Sequence, residues 1–406
     1  MNFFRLLNQS RLALSKEHEL TYHGMKYKKV FSKITKYSKF SGFFFQTLIF
    51  FYRVFQSINL FNAKPKPKQI YIFAETINQL SGLKTTIESL RQNQNDIHLT
   101  VSKTLLRQIY DMKKEAAPIS FNLRVIFTGI LLFLTRGLPL YLKLKKKNQE
   151  INIAVRFSEI CMSYIFIPYF LDILQKLKPK IIIVSNDHNL NNRSLRLSAE
   201  VLGIKTIYLQ HASVIDHFPP LQFDYALLDG KIAYETYLKC YRNIKTKSEN
   251  VEKNVANCKV ILSGQKRKIL KNIKKNKIGS FNIGLAVNEL DNFNSVRCAL
   301  DIISLTNSKC IIRTHPHQPK VFIKQLDEYL KTKHWLSWSD ARKEQISDYF
   351  NKISLLIAGN SSIHLEAALA GLITYYYEMD EDFGKPDLYE YIKNGLTIRL
   401  EKEFSY

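Results

Sequence analysis

The chain has 406 residues, of which 46% are hydrophobic and 23% charged, as expected for a folded protein with room for two domains. Its 60 Lys and Arg residues against 35 Asp and Glu give a net charge of +25, which favours anionic partners such as phosphorylated substrates, anionic lipid or nucleic acid. The cysteines are odd in number and lack a CxxC pair, which argues against a disulfide framework and a zinc site: Cys161, Cys240, Cys258, Cys298 and Cys310. We therefore expect reduced thiols in a cytoplasmic protein, and no signal peptide is evident.

Residues 1–68 are predicted to form a basic, aromatic extension and linker. They carry 13 Lys or Arg residues, and their only acids are Glu17 and Glu19. The apolar run at 43–52 is shorter than the roughly 20 residues that a transmembrane helix needs. Its aromatic residues and flanking cations favour a helix lying on an anionic membrane surface. The alternative is a helix packed on the globular body with solvated lysines.

A β-α-β pattern follows the extension, with a strand at 69–74, a helix at 78–93 and a strand at 96–102. This order predicts a layered α/β domain. The apolar run at 126–134 favours a buried helix, with a second membrane-surface contact as the alternative. One long helix is predicted at 157–178.

Polar residues follow two neighbouring predicted strands. The strand at 180–184 ends in Ser-Asn-Asp187-His188, and the strand at 206–209 ends in Gln-His211. Open α/β sheets bind ligands at the carboxyl ends of their strands, so Asp187, His188 and His211 are expected at one ligand-binding edge. A strand at 223–228 and a helix at 231–241 complete this half.

The very basic stretch at 245–277 is predicted to lead into a second domain, so we place the domains at 69–275 and 276–406. The second half also alternates, with strands at 281–287, 310–313 and 354–358 and helices at 295–305, 321–331, 340–352 and 363–370. The last strand feeds the turn Gly359-Asn360-Ser361-Ser362, in which Asn360 and Ser361 are expected N-caps. A small, hydroxylated turn at a helix N-terminus favours phosphate binding.

The two halves together predict two facing Rossmann-like α/β domains with a cleft between them. In the second half, Arg313, His315 and the two serines are expected to clamp a phosphate. Glu366 is expected either to bind a ribose or to be a solvated surface residue. The first half offers Asp216 and Asp187 as a catalytic base or nucleophile, with His211 as a positioning or acid group. His188 and His217 are expected to be structural.

The order of these motifs resembles that of a known family. Arg313-Thr-His315-Pro316 followed by a strand ending in Ser361-Ser362 is similar to the signature motifs of two-lobed, GT-B type bacterial glycosyltransferases that use CMP-activated sugars. These include polysialyltransferases, lipooligosaccharide sialyltransferases and 3-deoxy-manno-octulosonic acid (Kdo) transferases. The resemblance covers about residues 181–396. It implies that His315, Pro316, Ser361 and Ser362 hold the nucleotide and its phosphate. The residue pattern adds Arg313, Asn360 and Glu366 to this expected donor site.

The resemblance implies transfer of a CMP-activated ulosonic acid, such as Kdo or sialic acid, to a capsule, O-antigen or lipooligosaccharide glycan. The implied partners are a nucleotide-sugar donor, a lipid-linked or oligosaccharide acceptor, and an anionic membrane reached through the N-terminus. The enzyme is expected at the inner face of the cytoplasmic membrane and is expected to need neither cofactor nor metal. The family's Asp/Glu-Asp/Glu-Gly base motif is missing, and Asp229-Gly230 matches it only in part, so a retaining or inverting course is left open.

Three other functions remain open. A CDP-polyol phosphotransferase of teichoic-acid-like polymers shares the motifs, but its turn commonly reads Asp-Tyr-Ser-Ser where this chain has Gly359-Asn-Ser-Ser. A sugar-nucleotide epimerase shares the fold and the turn, but would not need a basic aromatic N-terminus. A nucleic-acid-binding protein would account for the charge, but the sequence has no RNP, KH or zinc-finger pattern.

Overall fold

A computed structural model describes residues 2–17, 20, 42–58, 66–109, 115–146, 157–216, 218–242, 258–264, 282–289, 291–379 and 387–401. The chain divides into two compact units, Met1–Lys266 (unit 1) and Arg267–Tyr406 (unit 2). The predicted domain boundary at residue 275 lies outside the described residues.

Unit 1 is built on a parallel sheet whose seven described strands run in the order β3-β2-β1-β4-β5-β6-β7. The strands are β1 (Ile70–Ala74), β2 (Ile97–Val101), β3 (Ala116–Pro118), β4 (Ile181–Val184), β5 (Lys205–Leu209), β6 (Tyr225–Leu228) and β7 (Lys259–Leu262). Alternate residues of β1 belong to different hydrophobic clusters: Tyr71 and Phe73 to one, Ile72 and Ala74 to the other. The sheet is therefore covered on both faces, as parallel sheets are.

The described helices of unit 1 are α1 (Phe3–Ala13), α2 (Phe43–Gln56), α3 (Ile77–Gln92), α4 (Lys103–Gln108), α5 (Leu123–Lys146), α6 (Phe157–Cys161), α7 (Ser163–Leu177), α8 (Leu190–Val201) and α9 (Lys231–Arg242). The single helix predicted at 157–178 is interrupted at Met162, between α6 and α7. There the Ser163 hydroxyl donates to the Ile160 carbonyl at 2.7 Å and competes with the helical hydrogen bond.

Helices α1 and α2 belong to unit 1 rather than to a separate extension at 1–68. Leu6 of α1 and Phe50 and Val54 of α2 are fully buried in the same cluster as Tyr71. Burying one such side chain stabilises the fold by about 1.5–3 kcal/mol, so the apolar stripe of each helix holds it on the core.

Helix α5 extends well beyond the buried helix predicted at 126–134. Among the described residues, two stretches are long and apolar enough to cross a bilayer, Leu123–Lys146 and Phe157–Leu177. The apolar window is 83% buried in the second stretch but only 44% buried in the first. The second is thus a core segment, whereas α5 packs through one side and exposes the other.

Gly129 lets α5 approach α7 closely, and we expect Gly129→Ala to destabilise the protein. A Cβ at this position would lie 2.2 Å from Ile165 Cδ1 and 2.8 Å from the Tyr164 carbonyl oxygen. Alanine gains about 1 kcal/mol in helix propensity, but the clash with backbone is expected to cost about 1–3 kcal/mol. The urea midpoint of unfolding should therefore be lower for Gly129→Ala than for wild type. Gly230→Ala is the control, because a Cβ there meets nothing within 4 Å; equal midpoints for both variants would contradict the prediction.

Unit 2 contains a second parallel sheet, whose six described strands run in the order β10-β9-β8-β11-β12-β13. The strands are β8 (Asn282–Ala286), β9 (Lys309–Thr314), β10 (Leu336–Asp340), β11 (Leu355–Ala358), β12 (Ile373–Tyr376) and β13 (Ile398–Arg399). The described helices are α10 (Phe293–Ser304), α11 (Lys320–Leu330), α12 (Ile346–Phe350) and α13 (Ile363–Leu369).

The helix predicted at 340–352 is wrong, because β10 ends at Asp340 and only α12 is helical. The Asp340 carboxylate accepts hydrogen bonds from the backbone N–H and the guanidinium of Arg342. A local turn of this kind satisfies the backbone and competes with a helix.

Both sheets have the same topology. In each sheet the first strand lies in the interior. The second and third strands lie on one side of it, and the fourth and later strands lie on the other side. This is the Rossmann arrangement, in which the strand order reverses between the first and fourth strands. The reversal points lie between β1 and β4 in unit 1 and between β8 and β11 in unit 2, and open α/β sheets bind ligands at the carboxyl ends of such strands.

Candidate active site

At the reversal point of unit 1, polar residues follow both strands. Glu75 follows β1, and Ser185-Asn186-Asp187-His188 follows β4. Phe73 pairs with Val184 across the two strands, so these residues leave the sheet side by side, about 4.8 Å apart.

Asp187 and His188 form a hydrogen-bonded carboxylate–imidazole pair. Asp187 Oδ1 lies 2.9 Å from His188 Nδ1, and Asp187 Oδ2 accepts from the Tyr237 hydroxyl at 2.6 Å. Burial raises the pKa of Asp187, but the hydrogen bonds from His188 and Tyr237, with the positive charge of Arg193, hold that pKa below its ordinary value. The carboxylate is therefore ionised at neutral pH and keeps a proton on Nδ1 of the ring.

The other ring nitrogen of His188 is an acceptor. Asn186 Oδ1 accepts from the backbone N–H groups of His188 and Asn189, which fixes the amide so that its Nδ2 lies 3.3 Å from His188 Nε2. The side chain of His188 is 22% exposed and that of Asp187 only 2%. A substrate would thus meet the imidazole, so the geometry favours His188 for the chemistry and Asp187 for positioning, the reverse of the roles predicted from sequence.

Glu75 is a second carboxylate at this edge. Its two oxygens accept hydrogen bonds from Asn189 and Asn191 of the β4–α8 segment, at 3.0 and 2.8 Å. Burial raises the pKa of Glu75 and Glu159 adds to the rise, whereas the hydrogen bond from Asn189 opposes it. Perturbed carboxyl groups at a sheet edge are typical of functional sites. We call Glu75, Asp187, His188, Asn189 and Asn191 the acid–base cluster.

His211 and Asp216 lie on the loop after β5. Gly82 of α3 approaches His211 so closely that a Cβ at residue 82 would lie 2.7 Å from His211 Cβ. Phe218 of the same loop packs on His188 with ring centroids 4.4 Å apart, which brings the loop to the acid–base cluster. Both residues are half-buried, and their catalytic roles remain predictions. His217 lies outside the described residues.

At the reversal point of unit 2, three strand ends are in register. Ala286 of β8 pairs with Arg313 of β9 and with Ala358 of β11. Beyond this row the chain presents polar residues, which we call the polar rim: Asn288, Glu289, His315, Ser361 and Ser362.

The backbone N–H of His317 favours one tautomer of His315, and the Glu289 carboxylate opposes it at a longer distance. His315 Nδ1 accepts from the backbone N–H of His317 at 3.2 Å and lies 3.6 Å from a carboxylate oxygen of Glu289. Burial lowers the pKa of His315, with His317 in the same direction and Glu289 opposed. The neutral ring therefore carries its proton on Nε2, where it is a hydrogen-bond donor. Pro316, which follows, is exposed.

Arg313 is engaged within unit 2 and is a poor candidate for the predicted phosphate contact. It is 8% exposed and donates to the Ser339 hydroxyl and to the Glu344 carbonyl, both at 2.9 Å. Its guanidinium also lies over the Tyr349 ring, 5.2 Å from the centroid. Arg313 lies inside β9, so its side chain packs on a face of the sheet instead of projecting from the strand end.

The turn after β11 is fixed from both sides. Asn360 Oδ1 accepts from the Leu388 backbone N–H at 2.8 Å, and Asn288 donates to the Asn360 carbonyl at 2.9 Å. His364 is fully buried, and its Nε2 donates to the Gly359 carbonyl at 3.0 Å. Burial lowers the pKa of His364 to about 4, so the ring is neutral. The turn is thus a preformed element.

Ser361 and Ser362 are the half-buried hydroxyl residues that this turn presents. Neither Asn360 nor Ser361 is the N-cap of α13 as predicted; Ser362 occupies that position and makes no side-chain capping bond. Glu366 lies close enough to Arg313 for its charge to raise that residue's pKa, against the larger lowering caused by burial. A ribose contact for Glu366 remains a prediction.

Within the described residues, no group of three or more His, Cys, Asp or Glu side chains is placed to hold a metal ion. The predicted independence from metal and cofactor stays a prediction.

No family model and no curated protein sequence matches the chain. Solved structures do match it. UDP-GlcNAc 2-epimerase from Neisseria meningitidis, bound to UDP-GlcNAc, is 10% identical with a TM-score of 0.50, over 82% of this chain and 88% of that one. The chain has the GT-B fold. The Methanocaldococcus jannaschii UDP-GlcNAc 2-epimerase is 14% identical with a TM-score of 0.49, over 82% and 89% of the two chains.

Acinetobacter baumannii MurG also matches, at 10% identity and a TM-score of 0.44, over 84% of this chain and 88% of that one. At 10% identity, the match with a TM-score of 0.50 shows the fold and leaves the activity open. The fold class predicted from the sequence, two Rossmann-like α/β domains, is confirmed. The resemblance to CMP-sugar transferases remains a prediction.

Proposed function

We propose that the protein is a glycosyltransferase that moves a sugar from a nucleotide donor bound by unit 2 to an acceptor hydroxyl bound by unit 1. The observation that carries this proposal is the Asp187–His188 pair at the reversal point of a Rossmann-type sheet. Its imidazole is 22% exposed, and its outer nitrogen is an acceptor that the Asn186 amide contacts at 3.3 Å. Deprotonating an acceptor hydroxyl is what such a pair can do.

The reaction that fits a histidine base is a single displacement. The acceptor hydroxyl replaces the Asn186 amide at His188 Nε2, which takes the hydroxyl proton while the acceptor oxygen bonds to the anomeric carbon of the donor. The bond from that carbon to the phosphate oxygen breaks, and its electron pair leaves with the nucleotide. Asp187, ionised and buried, stabilises the imidazolium that forms. This assignment makes the transfer inverting.

The polar rim is the proposed donor site. The Nε2–H of neutral His315 and the hydroxyls of Ser361 and Ser362 are donors suited to phosphate oxygens, on a turn already fixed by Asn360 and His364. Because the backbone of the turn is already fixed, binding phosphate there costs less ordering. A CMP-activated ulosonic acid is the favoured donor, because the His-Pro and Ser-Ser motifs resemble those that hold a single phosphate.

The proposed acceptor is a growing capsule, O-antigen or lipooligosaccharide glycan, which is lipid-linked or an oligosaccharide. We place the enzyme at the inner face of the cytoplasmic membrane, held there by its basic, aromatic N-terminal region. The described helices α1 and α2 support this placement, because they carry Arg5, Arg11 and Arg53 and no acidic residue.

A thermal-shift panel of nucleotides tests the donor assignment. At equal concentrations of CMP, CDP, UDP, UMP and GDP, CMP is expected to raise the melting temperature most, because a ligand bound only to the folded state stabilises it according to its affinity. A variant with His315→Ala is the control and should lose the shift.

The other outcomes of the panel decide between the remaining functions. The largest shift with CDP would favour polyol-phosphate transfer. The largest shift with UDP would overturn the CMP assignment and leave the fold untouched. No shift with any of the five would contradict a nucleotide-sugar site in the polar rim.

A further inference from the structure

Helix α5 presents an apolar stripe to solvent along its whole length. Its members are large side chains that are 47–65% exposed: Leu123, Phe127, Leu134, Leu138 and Leu142. They follow the spacing of one helix face. The opposite face is buried over the same length, from Val125 and Gly129 to Leu140 and Leu144.

The neighbouring helix α2 carries a similar stripe. Phe44, Leu48, Tyr52 and Phe55 are 50–74% exposed at positions separated by three or four residues. The two helices touch: Phe133 of α5 stacks on Phe50 of α2 with ring centroids 4.4 Å apart, and it also meets Phe43 and Phe51. Exposed apolar residues in such numbers mark an interaction surface.

The charges of these two helices are all of one sign. Together α2 and α5 contain six cations and no acid: Arg53, Arg124, Arg136, Lys143, Lys145 and Lys146. Three of them end α5, next to the exposed Leu142. An apolar stripe on two helices whose charged residues are all cations complements an acyl layer beneath anionic headgroups.

We infer that α5, with α2 beside it, docks the protein on an anionic membrane surface and lies in the plane of the headgroups. The buried face runs the full length of α5, so the helix lies along the core of unit 1 instead of crossing the bilayer. A second copy of the chain is a poor occupant, because its net charge of +25 opposes contact through a cationic face. This inference deepens the proposed function, whose acceptor is lipid-linked, but it is tested by membrane binding and not by donor binding or transfer, so the two can fail separately.

Point substitutions on the exposed stripe test the inference in the full-length protein. Deleting the N-terminal region would test folding instead, since Phe50 and Val54 of α2 are in the core. The variant Phe127→Ser/Leu134→Ser/Leu138→Ser is expected to bind vesicles of phosphatidylcholine and phosphatidylglycerol at least about 10²-fold more weakly than wild type in a sedimentation assay. The variant Lys143→Gln/Lys145→Gln/Lys146→Gln should lose a comparable factor at low salt, and little at high salt.

The matched control removes exposed apolar residues of unit 2, Leu305→Ser/Val321→Ser/Ile373→Ser, whose side chains are 58–78% exposed; it should sediment like wild type. A melting temperature near that of wild type shows that each variant is folded. As a second readout, a tryptophan introduced by Leu138→Trp should be quenched by brominated lipid, and one introduced by Leu305→Trp should not.

Three results would overturn the inference. One is wild-type sedimentation of the folded α5 triple-serine variant. Another is equal binding of the wild-type protein to vesicles of phosphatidylcholine alone. The third is a dimer in light scattering that this serine variant converts to a monomer, which would assign the face to a second copy.

Discussion

Replacing His188 with glutamine is expected to lower the rate of sugar transfer by about 10²- to 10⁴-fold, the usual contribution of a general base. Glutamine retains a polar side chain but has no basic nitrogen to take the acceptor proton. Donor binding should be unchanged, because the polar rim belongs to unit 2. The measurements are release of the nucleotide under single-turnover conditions and calorimetric affinity for CMP.

Asp187→Asn separates positioning from proton transfer. An amide cannot hold a proton on His188 Nδ1 as the ionised carboxylate does, so the rate should fall. Removing the negative charge also destabilises the imidazolium that forms as the proton is taken, so the loss should fall on kcat and leave CMP affinity unchanged. Lower stability with wild-type turnover of the folded protein would assign Asp187 a purely structural role.

The control for both variants is His98→Gln. His98 lies near the start of β2 and stacks on Tyr71, so it is a histidine of the same sheet at the opposite end of its strand. Wild-type turnover in folded His188→Gln would remove His188 from the chemistry. Loss of turnover in Asp216→Asn, with CMP affinity retained, would then give the role to Asp216.

The alternation of buried strands and helices was predictable because both sheets are parallel and covered on both faces. Central strands such as β1 and β11 consist of apolar residues between polar segments, a pattern that is local in sequence. The edge strands β3 and β10 lack it, whereas the edge strand β7 has an apolar run. β3 is three residues long and ends in Pro118, and β10 has polar residues at alternate positions, so both were missed.

The polar ends of the strands were predictable as sites, but the roles of their residues were not. The rule that selected Asp187, a polar residue directly after a buried strand, also selects Glu75, which was overlooked. The roles that we propose for Asp187 and His188 depend on Tyr237 and Phe218, which come from distant segments. No local pattern reports such contacts.

The placement of Arg313 and the exposure of α5 were not predicted from the local sequence either. Arg313 stands two residues before His315, but it lies within β9 while His315 lies beyond its end, and one residue determines which of them reaches the edge. The apolar run at 126–134 favoured burial because hydrophobicity alone does not say which partners cover a helix. The spacing of Phe127, Leu134, Leu138 and Leu142 on one face was the available signal.

The double variant His315→Ala/Ser362→Ala is expected to weaken CMP binding by at least about 10²-fold. Each hydrogen bond to a charged phosphate contributes about 1.5–3 kcal/mol, so losing two donors costs this much even if water partly replaces them. Because His315 is neutral, the pH dependence of CMP binding is a second test of its role. Burial keeps its pKa below the ordinary value, so its contribution to binding should be constant from neutral to mildly alkaline pH. Calorimetric titration with CMP measures both effects.

Two variants distinguish this site from its surroundings. His317→Ala keeps the backbone N–H that holds His315 Nδ1, so it should bind CMP nearly as well as wild type. Arg313→Gln should act on stability instead, because it leaves Ser339 and Glu344 without their buried cation and removes the stacking on Tyr349. This variant should have a lower melting temperature than wild type and a nearly unchanged CMP affinity. Two results would place the donor phosphate away from His315 and Ser362. One is an unchanged CMP affinity in the folded double variant. The other is a loss of CMP affinity in Arg313→Gln that is as large as in the double variant, although Arg313→Gln is as stable as wild type.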